Sequence, residues 1–404
     1  MAPWHSDQVL IAGGGPAGMM LAYQLARAGI PVRVFEKHAD FLRDFRGDTV
    51  HPSTMEVLHE LGLIERFLER PHDRLYEARG QIGGEQATII DLSHLPVRCP
   101  FIAMMPQWEF LDFLVTEARQ YPAFSLEMNA EAVDLVVEDG TVRGLRVDTL
   151  CGAEVHRASL VIAADGRGSV LRKAAGLIVE EIGAPIDVLW MRVPKPPAAP
   201  TMPLGNVVRG RLFVALDRGD YYQCAFVIAK GTADAIRRAG LEAFRAEIVR
   251  VAPALQPTVG EIVSWEQVKL LTVKIDRLRK WFTPGLLCIG DAAHAMSPVG
   301  GIGINLAIQD AVAAANILIP AFARGGPKTA DLAAVQKRRN WPTRATQAMQ
   351  AFAQNQIIKR VLEPGPPITG MPWPLRFLDR HPRLRRVPAR FLGLGLRPEH
   401  PRFG

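Results

Sequence analysis

An α/β fold with an inserted β-rich domain and a helical C-terminal region is what this sequence predicts, on three observations. Short, wholly apolar runs of the buried parallel-strand type recur at Val9–Ala12, Leu160–Ala164 and Leu286–Ile289, and each leads into a glycine-bearing turn. Residues 181–275 are richer in strand-forming runs than the segments on either side. Beyond residue 330 a polar helical stretch gives way to a Pro/Arg-rich tail.

Taken in order, Val9-Leu10-Ile11-Ala12 reads as a strand, Gly13 to Gly18 as a turn and Met19 to Ala28 as a helix that stops at Gly29. Val32 to Phe35 is a second strand ending in Glu36, which completes the opening of a parallel α/β unit. Ser53 to Leu61 is a helix with Ser53 or Thr54 as its cap, and Trp108 to Arg119 is another. Between 131 and 163 lie hairpin strands, with Glu138-Asp139-Gly140-Thr141 as an Asp-Gly turn. Strands follow at Asp187–Val193, Val207–Leu216 and Tyr221–Ala229, and strand character continues over Ile262–Lys274. Gly303 to Phe322 is a long buried helix, and 330–361 is helical. The expected division is 1–180 with 276–330 as a discontinuous nucleotide-binding (Rossmann-like) domain. A β-sheet substrate domain occupies 181–275, and 331–404 forms the C-terminal region.

Charge and composition remove several classes of function. The 404 residues carry 48 Lys+Arg against 41 Asp+Glu, but from Pro374 onward eight arginines face two acids, so most of the excess is local. No zinc-finger spacing, basic zipper or RNP signature accompanies it, which argues against nucleic acid. Cys99, Cys151, Cys224 and Cys288 form no CxxC pair, so neither a disulfide scaffold nor a cysteine-rich metal centre is expected. No apolar run reaches a membrane span, and Met1–Gln8 lacks the basic start of a secretory signal. The expected setting is the cytoplasm.

Three turns carry the chemistry. Gly13-Gly14-Gly15-Pro16-Ala17-Gly18 fits GxGxxG after a strand and before a helix, with Glu36 closing the next strand. The glycines permit a tight turn, backbone approach to a pyrophosphate and close helix–strand packing, while a carboxylate at Glu36 can accept both ribose hydroxyls. Asp165-Gly166-Arg167-Gly168-Ser169-Val170-Leu171-Arg172 follows the strand ending at Ala164; by itself it reads as an Asp-Gly turn with Ser169 capping a short helix. In Gly290-Asp291-Ala292-Ala293-His294 a strand delivers Asp291 to a turn, where it can bind a polyol hydroxyl. The loop Pro298-Val299-Gly300-Gly301-Ile302-Gly303-Ile304-Asn305 then lets backbone and a helix N-terminus face a flat ring that becomes anionic on reduction.

Together these segments resemble the FAD-dependent aromatic hydroxylases of the para-hydroxybenzoate hydroxylase type, the class A flavoprotein monooxygenases. The resemblance implies non-covalent FAD, with Gly13, Gly15, Pro16, Ala17, Gly18, Glu36 and Lys37 around its ADP half. It also implies Asp165 between the cofactor and NAD(P)H, Asp291 on the ribityl chain, and Pro298, Gly300, Gly301, Ile302, Gly303, Ile304 and Asn305 along the isoalloxazine. Arg46, in Phe45-Arg46-Gly47-Asp48, matches an arginine near the FAD phosphates, and Gln107, in Pro106-Gln107-Trp108, a glutamine that contacts the cofactor. The implied reaction is NAD(P)H- and O2-dependent hydroxylation of a small aromatic or quinone-like compound through a flavin C4a-hydroperoxide. An FAD-dependent dehydrogenase or reductase without oxygen insertion is the alternative, and a homodimer is one open assembly.

Two residues depart from the pattern, and two absences narrow it. Ile302 stands where many relatives carry a polar residue, and Lys274 falls where some place an arginine for NAD(P)H. No second GxGxxG occurs, so NAD(P)H has no nucleotide domain of its own, and no Trp-x-Trp of the flavin halogenases is present. A phenolic substrate needs a base. The candidates are Tyr221, Tyr222 and His51, and strand alternation allows only one of the two tyrosines to point inward. His294 is expected to orient the loop after Asp291. The prolines from Pro372 to Pro401 prevent one long amphipathic helix, so the tail is expected to fold over the cofactor domain rather than lie on a membrane.

Overall fold

A computed structural model describes residues 9–42, 49–197 and 204–402. It opens with strand β1 (Val9–Ala12), helix α1 (Pro16–Arg27) and strand β2 (Val32–Glu36). Both strands are buried except at Arg33, and α1 is buried from Ala17 to Ala26, as an all-round apolar helix inside a domain must be. After β3 (Thr49–Val50) comes α2 (Pro52–Glu60), whose N-cap is His51 rather than Ser53 or Thr54. Pro52 accounts for this: it has no N–H to satisfy and a φ already helical, so it takes the first position.

The chain then forms β4 (Glu77–Ile82) and β5 (Glu85–Asp91), followed by α3 (Gln107–Ala118) and β6 (Phe124–Met128). The hairpin β7 (Glu131–Glu138) and β8 (Thr141–Thr149) turns through Asp139 (φ 48°) and Gly140 (φ 71°), the left-handed pair an Asp-Gly hairpin requires. Strand β9 (Leu160–Ala163) and helix α4 (Val170–Ala174) follow.

The second sheet begins with β10 (Ile186–Pro194). Val207–Leu216 is two strands, β11 (Gly205–Val208) and β12 (Arg211–Asp217), because Gly210 at φ 80° turns the chain between them. Next come β13 (Tyr221–Ala229) and two helices, α5 (Ala233–Ala239) and α6 (Leu241–Val251). Of Ile262–Lys274, only β14 (Lys269–Leu271) is a strand. The Gln267 side chain accepts the Val263 and Ser264 N–H groups at 2.7 and 3.1 Å, which holds a short 3-10 turn against the extended form. After β15 (Asp276–Leu278), β16 (Phe282–Thr283) and β17 (Leu286–Cys288), the C-terminal part is helical. Its longer helices are α7 (Gly303–Ala323), α8 (Thr329–Ala353), α9 (Trp373–Arg380) and α10 (Arg386–Leu394).

The first sheet runs β16-β17-β9-β1-β2-β6, parallel except at the β16 edge. Ile11 sits between Ile162 and Val34, so the three turns that follow β1, β9 and β17 emerge at one end of the sheet. That is where open α/β sheets place their ligands. The second sheet runs β14-β10-β13-β12-β11-β4-β5. It is not closed within 181–275: β11 pairs in parallel with β4, Gly205 opposite Gly80, so a short strand that would be an open edge is covered from residues 77–91. One face packs Met191, Phe213 and Phe226 against Phe244 and Ile248 of α6. The other carries Val188, Trp190, Val214 and Val227, and meets Val299 and the helical stretch at Ile358 and Leu362.

Helix α7 is long and apolar enough to cross a bilayer, but most of it is packed inside the protein. The tail folds back on the body. Leu392 joins Met296, Ile302 and Leu306, while Glu399, His400 and Arg402 bond to α7.

Candidate functional site

The first turn is built by contact distances that only glycine satisfies. A Cβ on Gly18 would lie 2.1 Å from the Gly13 carbonyl oxygen, and one on Gly13 (φ +104°) would lie 2.3 Å from that of Ala164. Gly15 differs: a Cβ there would meet nothing within 4 Å, so its backbone faces open space at the N-terminus of α1. Glu36, 7% exposed, accepts the Gly14 N–H at 2.9 Å on one carboxylate oxygen and the His38 N–H at 3.1 Å on the other. A carboxylate oxygen can accept more than one hydrogen bond.

The second turn meets the third. Ser169 caps α4 by accepting the Arg172 N–H at 3.0 Å. Asp165 accepts the Leu171 N–H at 3.3 Å through Oδ2, and its buried Oδ1 has no partner among the described residues. Burial pushes its carboxyl above the usual range against the opposing pull of its hydrogen bonds. Arg167 donates Nε to Asp291 Oδ2 at 2.9 Å, so the two turns are linked across the sheet end.

A Cβ on Gly290 would lie 3.0 Å from the Ala17 Cβ, which seats the Asp291 turn against the first turn of α1 beside Gly15. Behind it, Asp310 accepts the Gly290 N–H at 3.1 Å and holds His294 Nε2 at 2.6 Å and Arg339 Nε at 3.0 Å. Burial alone would raise the Asp310 carboxyl; His294 and Arg339 outweigh it and hold the group below the usual carboxylate range. His294 thus orients this loop, through Asp310. In the following loop Gly300 (φ +83°) and Gly301 (φ +63°) are left-handed, and a Cβ on Gly303, the first residue of α7, would meet nothing within 4 Å.

The strand and helix after residue 48 are pinned to this loop. Thr49 Oγ1 donates to the Gly301 carbonyl at 3.1 Å, and Thr54 Oγ1 donates to Asn305 Oδ1 at 2.7 Å. His51 is fully buried, with Nδ1 3.0 Å from the Leu392 carbonyl and Nε2 unpartnered among the described residues. Burial pushes its imidazole down to about 4, against the pull of the Leu392 and Gly301 carbonyls, so it is neutral at pH 7. The unfolded chain therefore binds the extra proton between pH 6.5 and about 4, and the stability this group contributes is complete above 6.5 and lost as pH falls. A loss of roughly 3 kcal/mol across that window is expected, and urea midpoints of His51→Gln should vary less with pH. Equal slopes for the two proteins would reject the account.

The remaining candidates divide. Arg46 lies outside the described residues. Gln107 opens α3 behind the cap Pro106. Lys37 pairs with Glu131 at 3.6 Å on the surface, apart from the turns. Lys274 is exposed at the end of the second sheet. Tyr222 packs with Cys224 and Phe244 on the helix-covered face of that sheet, away from the turns. Tyr221 is on the opposite face under the Arg192 guanidinium, 5.1 Å from its ring centroid. Ile302 has an apolar partner in Leu392, which explains an apolar residue at that position.

Sequence reasoning assigned no partner to Arg172, Thr49, Thr54 or Arg339. Arg172 donates to both oxygens of Asp276 at 3.2 Å, to the Ala292 carbonyl at 3.3 Å and to the Arg167 carbonyl at 2.6 Å, tying the second turn to the third. Its place after Asp-Gly was visible, but its partner lies 104 positions away.

An open glycine at a helix N-terminus, a carboxylate at the end of the next strand and a second carboxylate against that helix fit FAD in shape and donor chemistry. A Cβ on Gly15 would fill the space a pyrophosphate needs. Comparison with known proteins agrees. An FAD-binding-domain family model matches residues 6–349. The chain is 34% identical to 6-methylpretetramide 4-monooxygenase of Streptomyces rimosus over 362 residues, 88% of this chain and 85% of that one. It is 25% identical to an uncharacterized aromatic compound monooxygenase, YhjG, of Bacillus subtilis strain 168, covering 76% of this chain but only 60% of that protein. A solved p-nitrophenol 4-monooxygenase from Pseudomonas putida DLL-E4 superposes with a TM-score of 0.77 at 20% identity, over 97% of this chain and all of that one. The chain belongs to the FAD-binding-domain family, among the flavin-dependent aromatic monooxygenases of the para-hydroxybenzoate hydroxylase type.

Proposed function

We propose that this enzyme uses NAD(P)H and O2 to hydroxylate a phenolic, polycyclic aromatic compound of the polyketide kind. One observation carries the substrate class: the near full-length similarity to a 6-methylpretetramide 4-monooxygenase, at 34% identity. When bound, FAD supplies the redox chemistry, accepting a hydride and activating O2.

The chain's residues supply the rest of this reading. Gly15 and the first turn of α1 hold the pyrophosphate, Glu36 the adenosine ribose, and Asp291 the ribityl chain. The N-terminus of α7 at Gly303 steadies negative charge on the reduced ring. Ile302 and Leu392 keep water from its edge, and the sheet face bearing Trp190, Val214 and Tyr221 receives the substrate, since Val299 of the flavin loop packs on that face. Tyr221 is the better-placed tyrosine for proton transfer from a phenol. The four cysteines are unpaired, which supports a cytoplasmic setting where NAD(P)H is regenerated.

The test is NADH and NADPH consumption by the yellow protein across simple phenols, quinones and multi-ring phenolic polyketides, with mass spectrometry of products formed under isotopically labelled O2. Stimulated consumption and one labelled oxygen in a multi-ring product are expected. A product without label would instead indicate a dehydrogenase, and stimulation by single-ring phenols alone would overturn the substrate class.

A further inference from the structure

Beyond α10 the chain crosses α7 and α8 as a strap with defined bonds. Asn316 exchanges hydrogen bonds with the His400 carbonyl and the Arg402 N–H at 2.8 and 2.9 Å, and the Glu399 N–H donates to Gln309 Oε1. Glu399, 4% exposed, takes Arg338 Nε at 2.7 Å and Arg339 Nη1 at 3.2 Å, and Arg339 also donates to the Arg397 carbonyl at 3.0 Å. The opposite side of the same guanidinium donates Nε to Asp310 at 3.0 Å, and Asp310 grips Gly290 and His294, the residues flanking the Asp291 turn.

We propose that Glu399 is a positioning residue for the cofactor: it fixes the Arg339 guanidinium, which orients Asp310, which sets the turn that presents Asp291. The inference rests on the reading of that turn as part of the FAD site. Two carboxylates and a guanidinium buried together are a poor source of stability, because desolvation offsets their attraction. What such a cluster does supply is geometry. A planar guanidinium held on both edges cannot swivel, whereas one held by Asp310 alone can. The strap thereby determines where a carboxylate lies on the far side of α7.

The experiment uses full-length protein stripped of flavin and titrated with FAD, followed by flavin fluorescence, with apoprotein melting recorded in parallel. Glu399→Gln is expected to weaken FAD by about tenfold, the size of an ordinary coupling within one polar network, and Arg338→Ala by less than about twofold. Glu399→Asp should restore part of the affinity. Glu399→Gln and Asp310→Asn should be non-additive, since both act through Arg339. If Glu399→Gln lowers apoprotein stability too far to titrate, Arg339→Lys, which keeps the charge but cannot bridge both carboxylates, must show the same loss. Wild-type affinity in Glu399→Gln or Arg339→Lys, or additive effects in the double variant, would overturn the proposal. Asp291→Asn separates the two levels. If it leaves FAD binding intact, the reading of the turn fails; if it weakens FAD while Glu399→Gln does not, only the positioning role fails.

Discussion

A valine at Gly15 is expected to give a folded, colourless protein. Gly15 sits at φ −73° and ψ −179°, extended backbone open to any residue, and makes no side-chain cap. A Cβ there meets nothing within 4 Å, so the apoprotein should melt near the wild-type temperature. The same open space is where the backbone must approach a pyrophosphate. Forcing methyl groups into it costs about 3 kcal/mol, roughly a hundredfold in FAD affinity. Gly18→Ala is the opposite case. Its Cβ would lie 2.1 Å from the Gly13 carbonyl oxygen, so strand and helix must separate and the protein should express poorly or melt early. Thermal melts and FAD titration of both variants check this, and a Gly15→Val protein that purifies yellow at wild-type occupancy would refute the site.

The second large effect is expected at Arg172. It is 8% exposed, and its guanidinium donates to the Asp276 carboxylate and two backbone carbonyls. Arg172→Met leaves Asp276, itself 5% exposed, as a buried charge without its main partner. Removing one member of a buried pair costs about 3–5 kcal/mol, most of it from the charge left behind. The double variant Arg172→Met/Asp276→Leu should therefore be more stable than Arg172→Met alone. Urea midpoints for the three proteins read this out, and a loss under about 1 kcal/mol in the single variant would show that water reaches the pair.

Much of the cofactor half was legible because its signals are local. Gly13, Gly15, Gly18 and Glu36 lie in one strand–turn–helix–strand unit, and Asp139-Gly140 specifies its own hairpin. Asp165 and Asp291 were readable as turn residues, since each follows an apolar strand. What could not be read were pairings between distant segments. Nothing at Thr49 or Thr54 marks Gly301 or Asn305 as partners, and nothing at Arg339 signals that it reaches both Asp310 and Glu399. Ser53 and Thr54 suggest a hydroxyl cap, but the fixed φ of Pro52 makes it the first helical residue and puts the cap at His51. Ile262–Lys274 was read as strand because its apolar residues outnumber its turn formers, while the side chain of Gln267 decides the local geometry.

The parallel pairing of β11 with β4 has a consequence for engineering. A chimera that imports residues 181–275 from another member of the family would register the graft's outermost strand on the host's β4 rather than on the β4 of its own chain. Swaps meant to change what the enzyme accepts therefore have to carry residues 77–91 with them. During synthesis residues 77–91 leave the ribosome before 181–275, so the inserted sheet meets its last partner strand already made.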